Sequence, residues 1–109
     1  MATVQNLYID QGTTFSLTIT VSDQNGNEKD LTAYTVRGQL RKSYYSSTSI
    51  SFTAIKSLPL DGEITISLTA TQTSALNAGR YVYDIEIESN EETIRVLEGI
   101  VVVNPEVTK

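Results

Sequence analysis

The chain has 109 residues, enough for one domain and one core, and carries 8 basic against 13 acidic side chains for a formal net charge of −5. That balance runs against binding a nucleic-acid phosphate backbone or an anionic membrane as the main task. With no histidine and no cysteine, the chain itself offers no thiolate nucleophile, no imidazole or thiolate metal ligand, no Ser-His-Asp triad and no disulfide.

Residues 4–9 read as a short first strand. Over residues 14–22, Phe15, Leu17, Ile19 and Val21 alternate with Ser16, Thr18 and Thr20, the period-two signature of a strand with one dry and one wet face. Asp23-Gln24-Asn25-Gly26-Asn27 contains Asn-Gly, a strong turn signal. Tyr34, Val36, Gly38 and Leu40 then alternate with Thr35, Arg37, Gln39 and Arg41. A Ser/Thr-rich stretch over 44–51 leads to a strand over 50–56, where Ile50, Phe52 and Ala54 are followed by Ile55 and the phase shifts.

Leu58-Pro59-Leu60-Asp61-Gly62 is a loop, and Ile64, Ile66 and Leu68 alternate over 63–68. Residues 71–77 are the one helical candidate, about two turns, with Thr71 as cap and Gly79 just beyond the end. Tyr81, Tyr83, Ile85 and Ile87 alternate with Val82, Asp84, Glu86 and Glu88. Ser89-Asn90-Glu91-Glu92 turns into a last strand over 93–103, with a phase change at Glu98-Gly99 that a β-bulge would explain, and Pro105 stops it.

About seven short strands at this spacing predict an all-β, two-sheet antiparallel sandwich: one domain over 1–109 with its core about 4–104 and ends that order on assembly. Asn77-Ala78-Gly79-Arg80-Tyr81-Val82-Tyr83 sharpens this. Its spacing matches the segment entering strand F of immunoglobulin-type sandwiches, so Gly79, Tyr81 and Tyr83 form a tyrosine-corner-like motif. In such a corner a buried Tyr hydroxyl bonds to upstream backbone. With no cysteine pair and no tryptophan, the expectation is Ig-like, not an antibody domain.

Chemistry is sparse. Asp84, Glu86 and Glu88 share one strand face, where two carboxylates ~7 Å apart could flank a glycosidic bond. Cross-strand pairing with Arg37 and Arg41, beside Lys42, is the stronger reading. Asp23, Asn25, Asn27 and Asp30 invite a calcium loop, but glycine falls at Gly26, too early, and Tyr34 stands where a bidentate Glu is needed. No glycine motif cradles phosphate. Arg41-Lys42-Ser43-Tyr44-Tyr45 is the one basic-aromatic cluster, too little for nucleic acid in an acidic chain. No catalytic residue, metal or cofactor is expected.

The loop of Tyr44, Tyr45, Ser46, Ser47 and Thr48 is the candidate contact surface, since tyrosine among small polar residues gives adaptable area at low entropy cost. Residues 1–6 show no secretory pattern and no apolar run approaches ~18 residues, so neither export nor a membrane span is expected.

Several phrases taken in order carry a resemblance. They are Asp10-Gln11-Gly12-Thr13-Thr14-Phe15; Asp30-Leu31-Thr32 leading to Val36-Arg37-Gly38-Gln39-Leu40-Arg41; Asp61-Gly62-Glu63-Ile64; Ala78-Gly79-Arg80-Tyr81-Val82-Tyr83-Asp84-Ile85-Glu86; and Glu98-Gly99-Ile100 running to Pro105-Glu106-Val107-Thr108. The set resembles small Ig-like structural proteins of tailed bacteriophages, marine and cyanobacterial ones included. It is also similar to the N-terminal domain of phage upper-baseplate proteins.

The resemblance covers roughly residues 8–108. It implies a non-enzymatic virion component, made in the bacterial host cytoplasm and docked on other phage structural proteins of the capsid, neck, tail or baseplate. Upper-baseplate proteins continue into a further region whereas this sequence stops at Lys109, which favours an accessory or decorating subunit. A homo-oligomer is compatible with it. The alternative is a free-standing module binding a glycan or receptor through Tyr44, Tyr45 and adjacent loops.

Overall fold

The structure, a computed structural model, describes residues 3–23 and 25–107. Met1, Ala2, Gln24 of the first turn, Thr108 and Lys109 lie outside them. Among the described residues nine strands form in chain order: β1 (Thr3–Val4), β2 (Leu7–Asp10), β3 (Phe15–Thr20), β4 (Thr35–Arg41), β5 (Ile50–Ser51), β6 (Thr53–Leu58), β7 (Glu63–Leu68), β8 (Gly79–Glu88) and β9 (Thr93–Asn104). A 3-10 turn spans Pro59–Asp61 and one short helix, α1, spans Ala70–Ser74. Two sheets pack face to face as an Ig-like sandwich. One runs β1-β9-β8-β4-β5 with β2 also on β9; the other runs β3-β7-β6.

The alternating runs fall where the sequence places them, and their dry faces make the core. Ile64, Ile66 and Leu68 of β7 meet Tyr83, Ile85, Ile87, Leu40 and Val101 of the larger sheet, all buried. Burying a side chain of this size stabilises the fold by about 1.5–3 kcal/mol relative to leaving it in water. Leu31, fully buried, plugs one end of the sandwich. Its N–H donates to the Pro59 carbonyl at 2.8 Å, and the Asp30 carboxylate accepts from the Thr32 N–H at 2.9 Å to hold the turn. The two Thr32 bonds lower the pKa of Asp30.

Seven expected strands become nine because two of them break. The first breaks at Gln5-Asn6, and both halves pair parallel with β9, an exception to the antiparallel rule of the other ladders. The strand expected over 50–56 breaks at Phe52. Ile50–Ser51 stays on β4, and Thr53–Leu58 crosses to β7 in the other sheet. Phe52 is buried at the crossing, with its ring centroid 6.2 Å from Phe15 and 6.2 Å, edge-on, from Tyr83.

Two local expectations need correction. The helix starts at Ala70, not Thr71, and ends at Ser74. Its cap is Thr69, because Thr69-Ala70-Thr71-Gln72 forms a reciprocal box: Gln72 N–H donates to Thr69 Oγ1 at 3.1 Å, and Thr69 N–H to Gln72 Oε1 at 2.8 Å. The β-bulge lies at Val96, not at Glu98-Gly99, since Ile85 pairs with Leu97 while Glu86 pairs with Arg95. Near the ends, β1 pairs with Leu97 and Glu98, and the Glu106 N–H donates to Gln11 Oε1 at 3.0 Å.

The Asn25-Gly26 turn closes a small hairpin in which the Asp23 carboxylate accepts from the N–H groups of Asn25 and Asn27 at 2.9 and 3.0 Å. It joins no two neighbouring strands, because β3 and β4 belong to different sheets. With its carboxylate turned onto its own backbone, Asp23 is engaged locally rather than aimed outward.

Candidate functional site

The tyrosine motif on β8 is a structural lock. The Tyr81 hydroxyl donates to the Asn77 carbonyl at 2.9 Å, which is the corner bond the spacing predicts. The Lys42 ammonium stands over the Tyr81 ring, 4.8 Å from its centroid. Tyr83 reaches further along the fold. Its hydroxyl donates to the Gln5 carbonyl at 2.6 Å, 78 positions away in the chain, and so ties the β1–β2 break to the centre of the larger sheet.

Burial pushes the Tyr83 phenol up to about 12. The fold therefore favours the neutral phenol over the phenolate. Its contribution to stability is complete below the ordinary tyrosine value of about 10 and is lost as pH rises through about 12. In an alkaline titration followed by phenolate absorbance, Tyr83 ionises late and together with loss of structure. Tyr83→Phe removes that late step; a native chain with no late step, or a late step that survives in Tyr83→Phe, would contradict the assignment.

On the outer face of the larger sheet the expected charge pairing is present. Arg37 lies across from Glu86, with Nη2 to Oε1 at 3.0 Å, and reaches Glu88 at 3.4 Å. Gln39 lies across from Asp84. Among the described residues Arg41 pairs with no carboxylate: Val82 stands opposite it, and its guanidinium donates to the Ser46 carbonyl at 2.7 Å and to Gln39 Oε1 at 3.0 Å.

Two further participants, Arg95 and Glu98, are not marked by the sequence as members of this charged face. Arg95 bridges Asp84 at 3.3 Å and Glu98 at 3.3 Å. It reaches this face because the bulge at Val96 shifts the phase between it and Leu97, a signal visible only as the Ile94–Val96 alternation giving way to Leu97. Partial burial raises the Asp84 pKa, with Glu86 and Glu98 adding to the rise and Arg95 and Arg37 opposing it. These ion pairs are half-exposed, so each contributes about 0–1 kcal/mol and chiefly fixes register. Among the described residues no three acidic side chains converge closely enough to hold a metal ion.

A shallow hollow of about 410 Å³ lies on this face, lined among others by Arg37, Gln39, Asp84, Arg95 and Tyr44. Tyr44 belongs to the β4–β5 loop. There the turn from Ser43 to Ser46 is closed by Ser46 N–H donating to the Ser43 carbonyl at 3.2 Å and by Ser43 N–H donating to Ser46 Oγ at 3.0 Å. Arg41 clamps the same Ser46 from the sheet. Tyr44 and Tyr45 therefore ride the apex of an anchored turn and are 75% and 97% exposed. Neither packs beneath the loop. Ser47 and Thr48 are exposed beside them, while Ser46 is partly buried as the anchor.

No family model matches this chain, and no curated protein matches it. Among solved structures it is similar to InlP of Listeria monocytogenes, with a TM-score of 0.51 and 16% identity over 94% of this chain and 28% of that one. A family 123 glycoside hydrolase from Clostridium perfringens, described for glycolipid glycan hydrolysis, aligns with a TM-score of 0.44 and 12% identity over 97% of this chain and 24% of that one. The chain thus spans about a quarter of the length of each. At 16% identity the likeness to InlP concerns fold alone.

Proposed function

We propose that this chain is a non-enzymatic virion structural protein of a tailed bacteriophage, docking onto the assembled particle through the β4–β5 loop. One observation carries the docking: two adjacent tyrosines, 75% and 97% exposed, are held outward on a turn anchored by Arg41 and Ser46. Exposed aromatic area on a pre-ordered loop costs little entropy to engage, which is how central binding residues work. The phage assignment rests on the ordered motif set from Asp10 to Thr108. The acidic side chains of the larger sheet's outer face take part in ion pairs with Arg37 and Arg95, which supports a scaffold role over acid–base work. Mass spectrometry of purified particles tests it: the chain is expected at stoichiometric level, and finding it in infected-cell lysate but never in particles would refute the proposal.

A second reading has its own observation. Tyr44 borders the hollow that also presents Arg37, Gln39 and Asp84, an aromatic beside polar groups as a saccharide would need. Saturable binding of a glycan by isolated monomer would favour it.

A further inference from the structure

Sheet edges display unpaired N–H and C=O groups, and proteins blunt them with short strands, charges, proline or bulges. Three edges of this sandwich are blunted. β5 has two residues. The β1/β2 edge is broken at Gln5-Asn6. β6 carries Lys56, a register break between Ile55 and Leu58, and Pro59 at its end.

The fourth edge, β3, has none of these devices. Its sequence Phe-Ser-Leu-Thr-Ile-Thr has no charge, proline or glycine, and its ladder to β7 runs unbroken from Phe15 to Thr20. Among the described residues no backbone partner lies on its other side. The packing registers the open flank too. Phe15, Leu17 and Ile19 face the core but stay partly exposed, whereas their partners Leu68, Ile66 and Ile64 are 1%, 0% and 0% exposed. Beside the far end of β3 a hollow of about 870 Å³ opens between the sheets onto Ile19, Ile94 and Val96.

We propose that β3 is a self-association edge, where two copies of this chain pair antiparallel about a two-fold axis at Leu17 and join their three-stranded sheets into one. The register follows from side-chain parity, since directly opposed residues share a face. Centring on Leu17 sets Phe15 against Ile19 of the second copy, Leu17 against Leu17, and Ser16 against Thr18. Apolar meets apolar inside and hydroxyl meets hydroxyl outside, each contact made twice as a two-fold interface requires.

Charge selects the same strip. Two chains of net charge −5 repel each other. Within this sheet the charged residues are Lys56 on β6 and Glu63, opposite Thr20 at the ladder's end, so the seam itself is neutral.

Sedimentation across micromolar to millimolar concentrations tests the proposal, comparing the native chain with the double variant Ser16→Lys, Thr18→Lys. Both positions are exposed and the one side-chain bond lost is the surface Thr18–Thr65 hydroxyl contact at 3.1 Å, so the variant keeps its circular dichroism, with its melting curve measured alongside. It also brings the net charge of −5 two units closer to zero, so general repulsion cannot account for weaker association. The native chain is expected to form a dimer and the variant to dissociate at least about tenfold more readily, from like charges placed opposite one another.

Register has its own readout in a chain without cysteine. Ser16→Cys chains mixed with Thr18→Cys chains should oxidise chiefly to the mixed dimer. A native chain monomeric throughout, a dimer that the lysines leave intact, cross-linking without preference for the mixed pair, or a strand of another protein seated on β3 to the exclusion of the second copy would each overturn the proposal.

Discussion

Gly99→Ala is expected to detach the first strand and destabilise the fold by about 3 kcal/mol, through a steric clash and an orphaned buried hydroxyl together. A Cβ at Gly99 would lie 2.3 Å from the Gln5 carbonyl oxygen and 2.9 Å from its carbon. That carbonyl cannot simply yield, because it accepts the Tyr83 hydroxyl at 2.6 Å while the Gln5 N–H donates to the Glu98 carbonyl at 2.9 Å. Lifting residue 5 breaks both bonds and leaves the Tyr83 hydroxyl without its partner in a buried setting. Gly26→Ala is the comparison: its φ of 83° strains any other residue, but no atom stands within 4 Å of the added Cβ, so it costs about 1 kcal/mol. Equal melting shifts for the two variants would refute the close-approach argument. Amide exchange should also show Thr3 and Val4 losing protection first in Gly99→Ala.

The second large effect is on the proposed attachment. Tyr44→Ala combined with Tyr45→Ala is expected to lower affinity for particles lacking this protein by at least about a hundredfold, since two exposed aromatics on a rigid turn carry the energy that central contact residues supply. Stability should be unchanged, because neither side chain is buried. Co-sedimentation of the variant with depleted particles measures the first quantity and thermal melting the second. Full occupancy by the double variant would move the contact surface elsewhere on the molecule.

What could be read in advance follows from the range of each interaction. The faces of β3, β4, β7 and β8 are local facts: Phe15, Leu17 and Ile19, or Tyr81, Tyr83, Ile85 and Ile87, announce themselves by alternation alone. The Tyr81–Asn77 bond spans four residues and is legible for the same reason.

Interactions that close over long distances were not legible. Nothing near Gln5 marks it as the acceptor for Tyr83, and nothing near Val4 says that its strand runs parallel to β9. The bulge is the sharpest case. The run Ile94-Arg95-Val96-Leu97-Glu98-Gly99 permits a phase change at several places, and pairing with Ile85 and Glu86 selects Val96. That one-residue choice brings Arg95 to Asp84, so a misplaced bulge hid a member of the charged face. The candidate contact loop is visible as composition, but the outward aim of both tyrosines depends on the Arg41–Ser46 clamp, which composition does not contain.

Cryo-electron microscopy of purified particles is the most direct test of the docking account. The expected map shows this sandwich on a capsid, neck, tail or baseplate subunit, with Tyr44 and Tyr45 buried in the contact. A map of intact particles with no density for the sandwich, or one in which it is bound while both tyrosines face solvent, would contradict it.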